Sequence, residues 1–238
     1  MKIEIDTHTH TLASGHAYNT IWEMAREAAE RGFKGLAITD HAPAMPGGPH
    51  AYYFQNLRVV PRRKYGIELL LGVELNIRNE SGEVDLKEAT LKEMDIRIAS
   101  LHDSCYEGSK EKEKITQAYV NAMENPYVDI IGHPDDDRVP VDLEELVRAA
   151  RRTGTLLEVN NSSLRPVAFR VGARKNIKKL MELCKENDVM IVLGTDSHVD
   201  ADIGDYTYTE ELLRETDFPE ELIANTSLEK LRSLLKHA

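Results

Sequence analysis

Seven short apolar runs, separated by helical patterns, leave few folds open to this 238-residue chain. The runs cover residues 3–5, 35–39, 67–75, 96–102, 128–133, 156–161 and 190–198. The helical patterns carry their own boundaries. Thr20-Ile21-Trp22-Glu23 reads as a capping box with Asn19 or Thr20 as the cap, and Gly32 stops that helix. Asp142 caps a second helix that stops at Gly154, Asn176 is the expected cap of a third, and Ser227 caps the last. The charge run at 109–114 reads as a solvated helix start. Strand-length runs alternating with helices imply a parallel sheet. Seven such units in one domain spanning residues 1–238 favour a closed or nearly closed α/β barrel over an open doubly wound sheet. No Gly-x-Gly-x-x-Gly follows the first strand, which counts against dinucleotide binding.

Composition narrows the function classes. The formal net charge is −11, so long-range repulsion disfavours nucleic acid as a partner. No apolar run reaches membrane-span length. The first strand begins at once, without a secretory signal, and Cys105 and Cys184 form no metal or redox motif. A cytoplasmic protein with two reduced thiols is expected, and whether it forms a homo-oligomer stays open.

The residues at the carboxyl ends of the strands are the most informative. At the carboxyl end of the first strand stand His8 and His10, of the second His41, of the third Glu74, of the fourth His102, of the fifth His133, and of the seventh Asp196 and His198. His16 lies in the loop after the first run, so of nine histidines only His50 and His237 are left over. In a parallel barrel the carboxyl ends of all strands meet on one face, where active sites lie. His8 and His10 are two apart, so an extended chain points them to the same side, and Asp196 and His198 repeat the arrangement. Imidazole and carboxylate donors without thiolate suit zinc, manganese or iron. These ligands are too many for one ion, and at three or four protein ligands per ion roughly two to three metals are needed.

The motifs "DTHTH", "ITDH", "GVELNI", the "HP" after the fifth strand and "GTDSH" resemble, in this order, the PHP (polymerase and histidinol phosphatase) family. The segments "MPGGPHAYYFQN", "EVNNSS" and "DFPEELIANTS" are similar to its stand-alone YcdX-like branch. The resemblance implies a distorted seven-stranded barrel, (β/α)7, with a trinuclear metal centre. It implies that His8, His10, Glu74 and Asp196 hold a first ion. His16, His41 and His198 would hold a second, and Glu74, His102 and His133 a third. Zinc is the first expectation, with manganese or iron as alternatives. The chemistry implied is attack of metal-activated water on a phosphomonoester, with metal charge offset against the phosphoryl oxygens and no protein nucleophile.

Asp6 points to the same side as His8 and is the expected partner that orients it. Asn161, Ser162 and Arg165 are candidates for binding substrate oxygens, with Arg170 and Arg174 as rivals to Arg165. His50 is a candidate for the pocket mouth. The expected partner is a small phosphorylated metabolite. Phosphodiester cleavage of the exonuclease kind is the alternative, disfavoured by the acidic charge. A histidinol phosphatase is a narrower one, because fold does not set substrate. An amidohydrolase would need a lysine at a mid-barrel strand end, where this chain has Glu74, His102 and His133. A metal store would need a fully ligated, closed site.

Overall fold

A computed structural model describes residues 1–237, and among them nine strands and eight α-helices alternate along the chain. The strands are β1 (Ile5–Asp6), β2 (Gly35–Ile38), β3 (Arg63–Lys64), β4 (Ile67–Leu71), β5 (Val73–Asn76), β6 (Arg97–Ser100), β7 (Ile130–Gly132), β8 (Leu156–Asn160) and β9 (Ile191–Gly194). The helices are α1 (Ile21–Glu30), α2 (Ala51–Asn56), α3 (Glu88–Leu91), α4 (Lys112–Met123), α5 (Leu143–Thr153), α6 (Ala173–Glu186), α7 (Thr207–Thr216) and α8 (Leu228–Leu234).

Most boundaries follow local chemistry. The Glu23 amide donates to Thr20 Oγ1 at 3.3 Å and the Thr20 amide donates to Glu23 Oε2 at 2.7 Å, so both halves of the capping box close α1. Asp142 Oδ1 accepts from the amides of Glu144 and Glu145 at 3.1 Å, and Gly154 ends α5 at φ 70°. Ser227 accepts from the Lys230 amide to start α8. The charged stretch from Glu111 to Lys114 is exposed at the start of α4. One expected cap is corrected. Helix α6 begins at Ala173, so Asn176 sits inside its first turn. There the Asn176 amide donates to the Asp135 carbonyl at 2.9 Å and to Asp137 Oδ1 at 2.8 Å, pinning the loop after β7 instead of capping a helix.

The third apolar run is also two strands rather than one. β4 pairs parallel with β2, and β5 pairs parallel with β6, so the chain passes from one sheet to the other at Gly72. A Cβ at Gly72 would lie 2.1 Å from the Ile96 carbonyl oxygen, so only glycine allows this close approach. The result is one sheet in the order β1-β2-β4-β3 and another in the order β5-β6-β7-β8-β9. All pairings are parallel except the β3–β4 hairpin. Single parallel bridges join the sheets at both seams, Thr9 with Ser197 and His41 with Glu74. With β4 and β5 counted as two halves of a broken strand, seven positions run around a ring. It is a distorted barrel whose seams are single bridges rather than full ladders.

The strands alternate between two cores. Leu36, Ile38, Leu69, Leu71, Ile131, Leu157 and Leu193 face outward into the layer shared with the helices. Ile5, Ala37, Leu70, Ile98, Ile130, Leu156 and Val192 face inward, packed with Ala224, Leu231 and Leu235. The α8 segment therefore covers the end of the ring where the strands begin. Apolar side chains fill that end, and polar ones occupy the interior further along β5, β6 and β8, at Glu74, Asn76, Ser100, Glu158 and Asn160. No helix among the described residues is long and apolar enough to cross a membrane.

Candidate metal centre

The carboxyl ends of six strand positions and the loops beyond them bring the nine expected ligands to one place. His8 and His10 leave β1 with ring centroids 5.0 Å apart. His10 lies 4.3 Å from both His41 and His198, and His16 lies 4.9 Å from the same two rings. His102 and His133 are 5.2 Å apart. Four groups bring ligand atoms within 4.8 Å of one another: His8, His10 and Asp196; His10, His41 and His198; His8, Glu74 and His133; His41, Glu74 and His102. Glu74 stands at the middle. Its Oε1 is 2.8 Å from His133 Nε2 and 3.3 Å from His102 Nε2, and its Oε2 is 2.5 Å from His41 Nδ1. That last contact lacks hydrogen-bond alignment, since both atoms are without a hydrogen-bond partner.

The donor set fits divalent metal ions on three grounds. First, His8 Nε2, His10 Nε2, His41 Nδ1 and Glu74 Oε2 are buried with no hydrogen-bond partner, a costly arrangement unless a cation meets them. Second, the opposite ring nitrogens are engaged. Ser14 Oγ donates to Asp40 Oδ1 at 2.7 Å, so at 3.0 Å it accepts from His10 Nδ1–H. Asn76 donates its amide to Asp85, so its Oδ1 accepts from His102 Nδ1–H at 2.8 Å. The Asp196 carbonyl accepts from His198 Nδ1–H at 2.9 Å. Each bond leaves an Nε2 lone pair for a metal, the usual arrangement around metal-binding imidazoles. Third, the carboxylates demand positive charge. Burial opposes a charge on His8, but Glu158, Glu74 and Asp196 outweigh it and hold the imidazole well above its ordinary range. Burial with His41 and His198 nearby holds His10 well below it. Glu74 and Asp196 stay well below the usual carboxylate range despite burial, Glu74 because of His102, His41 and His8, Asp196 because of His8, His10 and Arg170.

Asp6 does not orient the His8 ring. Its Oδ2 accepts from Thr195 Oγ1 at 2.6 Å and from the Gly204 amide at 3.1 Å, so it ties the end of β9 to β1. The orienting carboxylate is Glu158, which the sequence reading passed over. Its Oε1 is 2.7 Å from His8 Nδ1, and its Oε2 accepts from the His133 amide at 2.9 Å. His133 sits at φ 29°, in the left-handed region that a side chain rarely adopts, so this bond holds a strained residue in place. Gly194 makes the space, since a Cβ there would lie 2.0 Å from Glu158 Oε1 and 2.9 Å from His8 Cβ. The one available signal was a lone carboxylate inside the apolar run "LLEVNN". Glu158→Gln keeps the shape and removes the charge. It should weaken metal affinity or activity by about 10- to 100-fold, read by chelator competition and by kcat/KM. Wild-type values for both would exclude Glu158 from a positioning role.

The centre opens into a cavity of about 620 Å³ lined by His16, His102, Asp196 and His198, with Ser162 and Arg165 on its wall. Two expected substrate residues lie elsewhere. Asn161 is fully buried and its Oδ1 accepts from the Tyr208 and Thr209 amides at 3.1 and 3.0 Å, so it serves the first turn of α7. His50 is exposed and accepts from the Tyr52 amide at 3.2 Å to cap α2, while Met45 from the same loop reaches the cavity. Arg165 is held by Asp202 Oδ2 at 2.7 Å and Asp205 Oδ2 at 3.2 Å. Arg170 is closer to the ligand cluster. Its side chain is 8 % exposed, it donates to Ser163 Oγ at 3.0 Å, and it makes two long 3.4 Å contacts with Asp196 Oδ2. Arg174 pairs with Glu211 and Glu215, away from the cavity.

Known proteins resemble this chain in sequence or in fold. The chain is 48 % identical over 236 residues to a protein named "Probable phosphatase" from Caldanaerobacter subterraneus subsp. tengcongensis, covering 99 % of this chain and 92 % of that protein. It is 47 % identical over 236 residues to one of the same name from Acetivibrio thermocellus, covering 99 % and 96 %. In fold it is similar to a histidinol phosphate phosphatase from Lactococcus lactis subsp. lactis Il1403, whose crystal structure holds zinc, L-histidinol and phosphate. That likeness has a TM-score of 0.63 at 19 % identity and covers 92 % of this chain and 95 % of that one. The PHP domain family model matches residues 6–164. With that match and near full-length relatives approaching half identity, this chain belongs to the PHP domain family.

Proposed function

We propose that the chain is a metal-dependent phosphatase that hydrolyses a phosphomonoester of a small metabolite. The supporting observation is the convergence of seven imidazoles and two carboxylates, several with unpartnered buried atoms, at and beneath the lining of one open cavity. His8, His10 and Asp196 with Glu74 would hold one ion, His16, His41 and His198 a second, and Glu74, His102 and His133 a third. Zinc is the first choice, as in the Lactococcus lactis structure, with manganese or iron as alternatives. Such ions supply an activated water and offset the negative charge that develops on the phosphoryl group. The chain works as one PHP domain over residues 1–238. The family match ends at residue 164, yet Asp196 and His198 come from beyond it. Two buried free thiols, Cys105 and Cys184, fit a reducing, cytoplasmic compartment.

Within this reading Arg170 is the phosphate-binding arginine in place of Arg165. Its guanidinium is buried beside Asp196, which it meets only at 3.4 Å, with one 3.0 Å bond to the neutral Ser163 Oγ, while that of Arg165 is engaged by two aspartates. A charge-assisted contact of about 1.5–3 kcal/mol corresponds to roughly 10- to 150-fold in kcat/KM, so Arg170→Ala should lose that much. Arg165→Ala should lose far less. Equal losses in steady-state assays of the two variants would remove Arg170 from the role.

The deciding experiment loads the protein separately with zinc, manganese and iron and counts bound metal by elemental analysis. Each form is then assayed on p-nitrophenyl phosphate and on bis-p-nitrophenyl phosphate. Three ions per chain, fast monoester turnover and its loss on chelation support the proposal. Diester preference would replace it with a phosphodiesterase, and silence on both esters with metal bound would end it.

A further inference from the structure

The structure assigns Asp40 the part of a positioning residue that sets, through the Ser14 hydroxyl, which ring nitrogen of His10 carries the proton and which is left free for an ion. This inference rests on the metal-centre part of the phosphatase reading and adds a residue outside the ligand set. Asp40 is fully buried just beyond β2. The donors that hold it are all neutral. Its Oδ1 accepts from the Thr11 amide and from Ser14 Oγ, both at 2.7 Å. Its Oδ2 accepts from Thr11 Oγ1 at 2.8 Å and from Tyr53 Oη of α2 at 2.6 Å. A carboxylate buried among neutral donors alone is costly to keep in a fold.

The Ser14 hydroxyl stands between this carboxylate and two of the expected ligands. A hydroxyl offers one proton and two lone pairs. The His41 amide, 3.1 Å away, can only donate, so it takes one lone pair. The other two contacts are Asp40 Oδ1 at 2.7 Å and His10 Nδ1 at 3.0 Å. Asp40 Oδ1 also receives the Thr11 amide, so it is an acceptor, and the hydroxyl proton goes to it. His10 Nδ1 must then carry its own proton and donate to the second lone pair. The ring's free lone pair is left on Nε2, which is buried without a hydrogen-bond partner, 3.3 Å from Asp196 Oδ1. Without Asp40 the hydroxyl turns its proton to Nδ1 instead. The ring proton then sits on Nε2, and the lone pair aimed at the ligand cluster is lost. His10 belongs to two of the four ligand groups, so one misplaced proton disturbs both. Asparagine at position 40 keeps the arrangement. The Thr11 amide still demands an oxygen, so the carboxamide turns its oxygen to Ser14 and its nitrogen to two hydroxyls that can rotate to accept.

The test reads the tautomer and the metal affinity separately. NMR of metal-free protein carrying isotope-labelled histidine reports the tautomer from the ring nitrogen shifts, the His10 signal being identified by its loss in His10→Gln. Wild type and Asp40→Asn should carry the proton on Nδ1, and Asp40→Ala should move it to Nε2. Chelator competition with zinc should show a fall of about 10- to 100-fold in affinity for Asp40→Ala and for Ser14→Ala, and close to the wild-type value for Asp40→Asn. Lost packing alone would weaken zinc without moving the proton, so Nδ1–H in Asp40→Ala overturns the inference. Nε2–H in wild type overturns it as well, as does wild-type zinc affinity in Ser14→Ala. Should Asp40→Ala not fold, the wild-type tautomer and Ser14→Ala decide. In each of these cases zinc-dependent turnover of p-nitrophenyl phosphate by wild type leaves the phosphatase reading standing. A wild type that binds no zinc, manganese or iron overturns that reading and this inference with it.

Discussion

Glu74→Gln is expected to lower kcat/KM by at least about 1,000-fold, because metal-derived charge stabilisation is worth several kcal/mol and each 1.36 kcal/mol is tenfold. The carboxylate is fully buried and ringed by imidazoles. His133, His102 and His8 lie 2.8, 3.3 and 3.4 Å from Oε1, and His41 and His10 lie 2.5 and 3.6 Å from Oε2. Glutamine conserves the volume but carries no charge, and one of its two terminal atoms becomes a donor aimed at imidazole nitrogens. Two of the four ligand groups share Glu74, so its loss should empty more than one ion position. Elemental analysis beside steady-state kinetics checks this. A variant with wild-type metal content and rate would mean that the carboxylate is not a ligand.

Asp129→Ala should cost about 3–5 kcal/mol of stability, the usual consequence of leaving one member of a buried ion pair alone. Both side chains of the Arg97–Asp129 pair are fully buried at the closed end of the ring. Asp129 Oδ2 accepts from the Arg97 amide at 2.9 Å and from Nε at 2.8 Å, and Oδ1 accepts from the Lys236 amide at 2.8 Å. Arg97 Nη1 donates to the Leu91 and Met94 carbonyls, while Nη2 has no partner. Without Asp129 the guanidinium stays buried and unpaired. The double variant Arg97→Met/Asp129→Leu should recover part of the loss by removing both charges. Recovery should be incomplete, because the Arg97 and Lys236 amides still lose their acceptor. Denaturant unfolding of the chelator-treated proteins measures both. A loss below about 1 kcal/mol for Asp129→Ala would show that water reaches the pair.

The barrel and the gathering of most residues of the candidate metal centre were legible because their signals repeat. A single histidine at a strand end says little, since buried polar groups usually just find hydrogen bonds. The same residue type at His8, His41, His102, His133 and His198 says much more, because parallel strands converge at one end. Local capping was equally readable at Thr20, Asp142 and Ser227, where a side chain answers its own backbone within three residues.

Contacts between distant segments were not legible. Glu158 meets His8 across 150 residues, and no local pattern distinguishes it from a solvent-facing strand carboxylate. Asp6 looked like the partner of His8 from its spacing alone, yet Thr195 and Gly204 claim its oxygens. Choosing between Arg165 and Arg170 required knowing that Asp202 and Asp205 come to rest against the first. By itself the sequence determined the strand–helix alternation, the apolar faces and the ligand types gathered at the strand ends, because periodicity and backbone capping act over a few residues. Only the tertiary structure decided where the third run breaks at Gly72, which carboxylate stands beneath His8, and how each arginine of the cavity wall is paired. Those outcomes depend on which long-range neighbour reaches each polar group first, and close packing settles that only once the chain is folded.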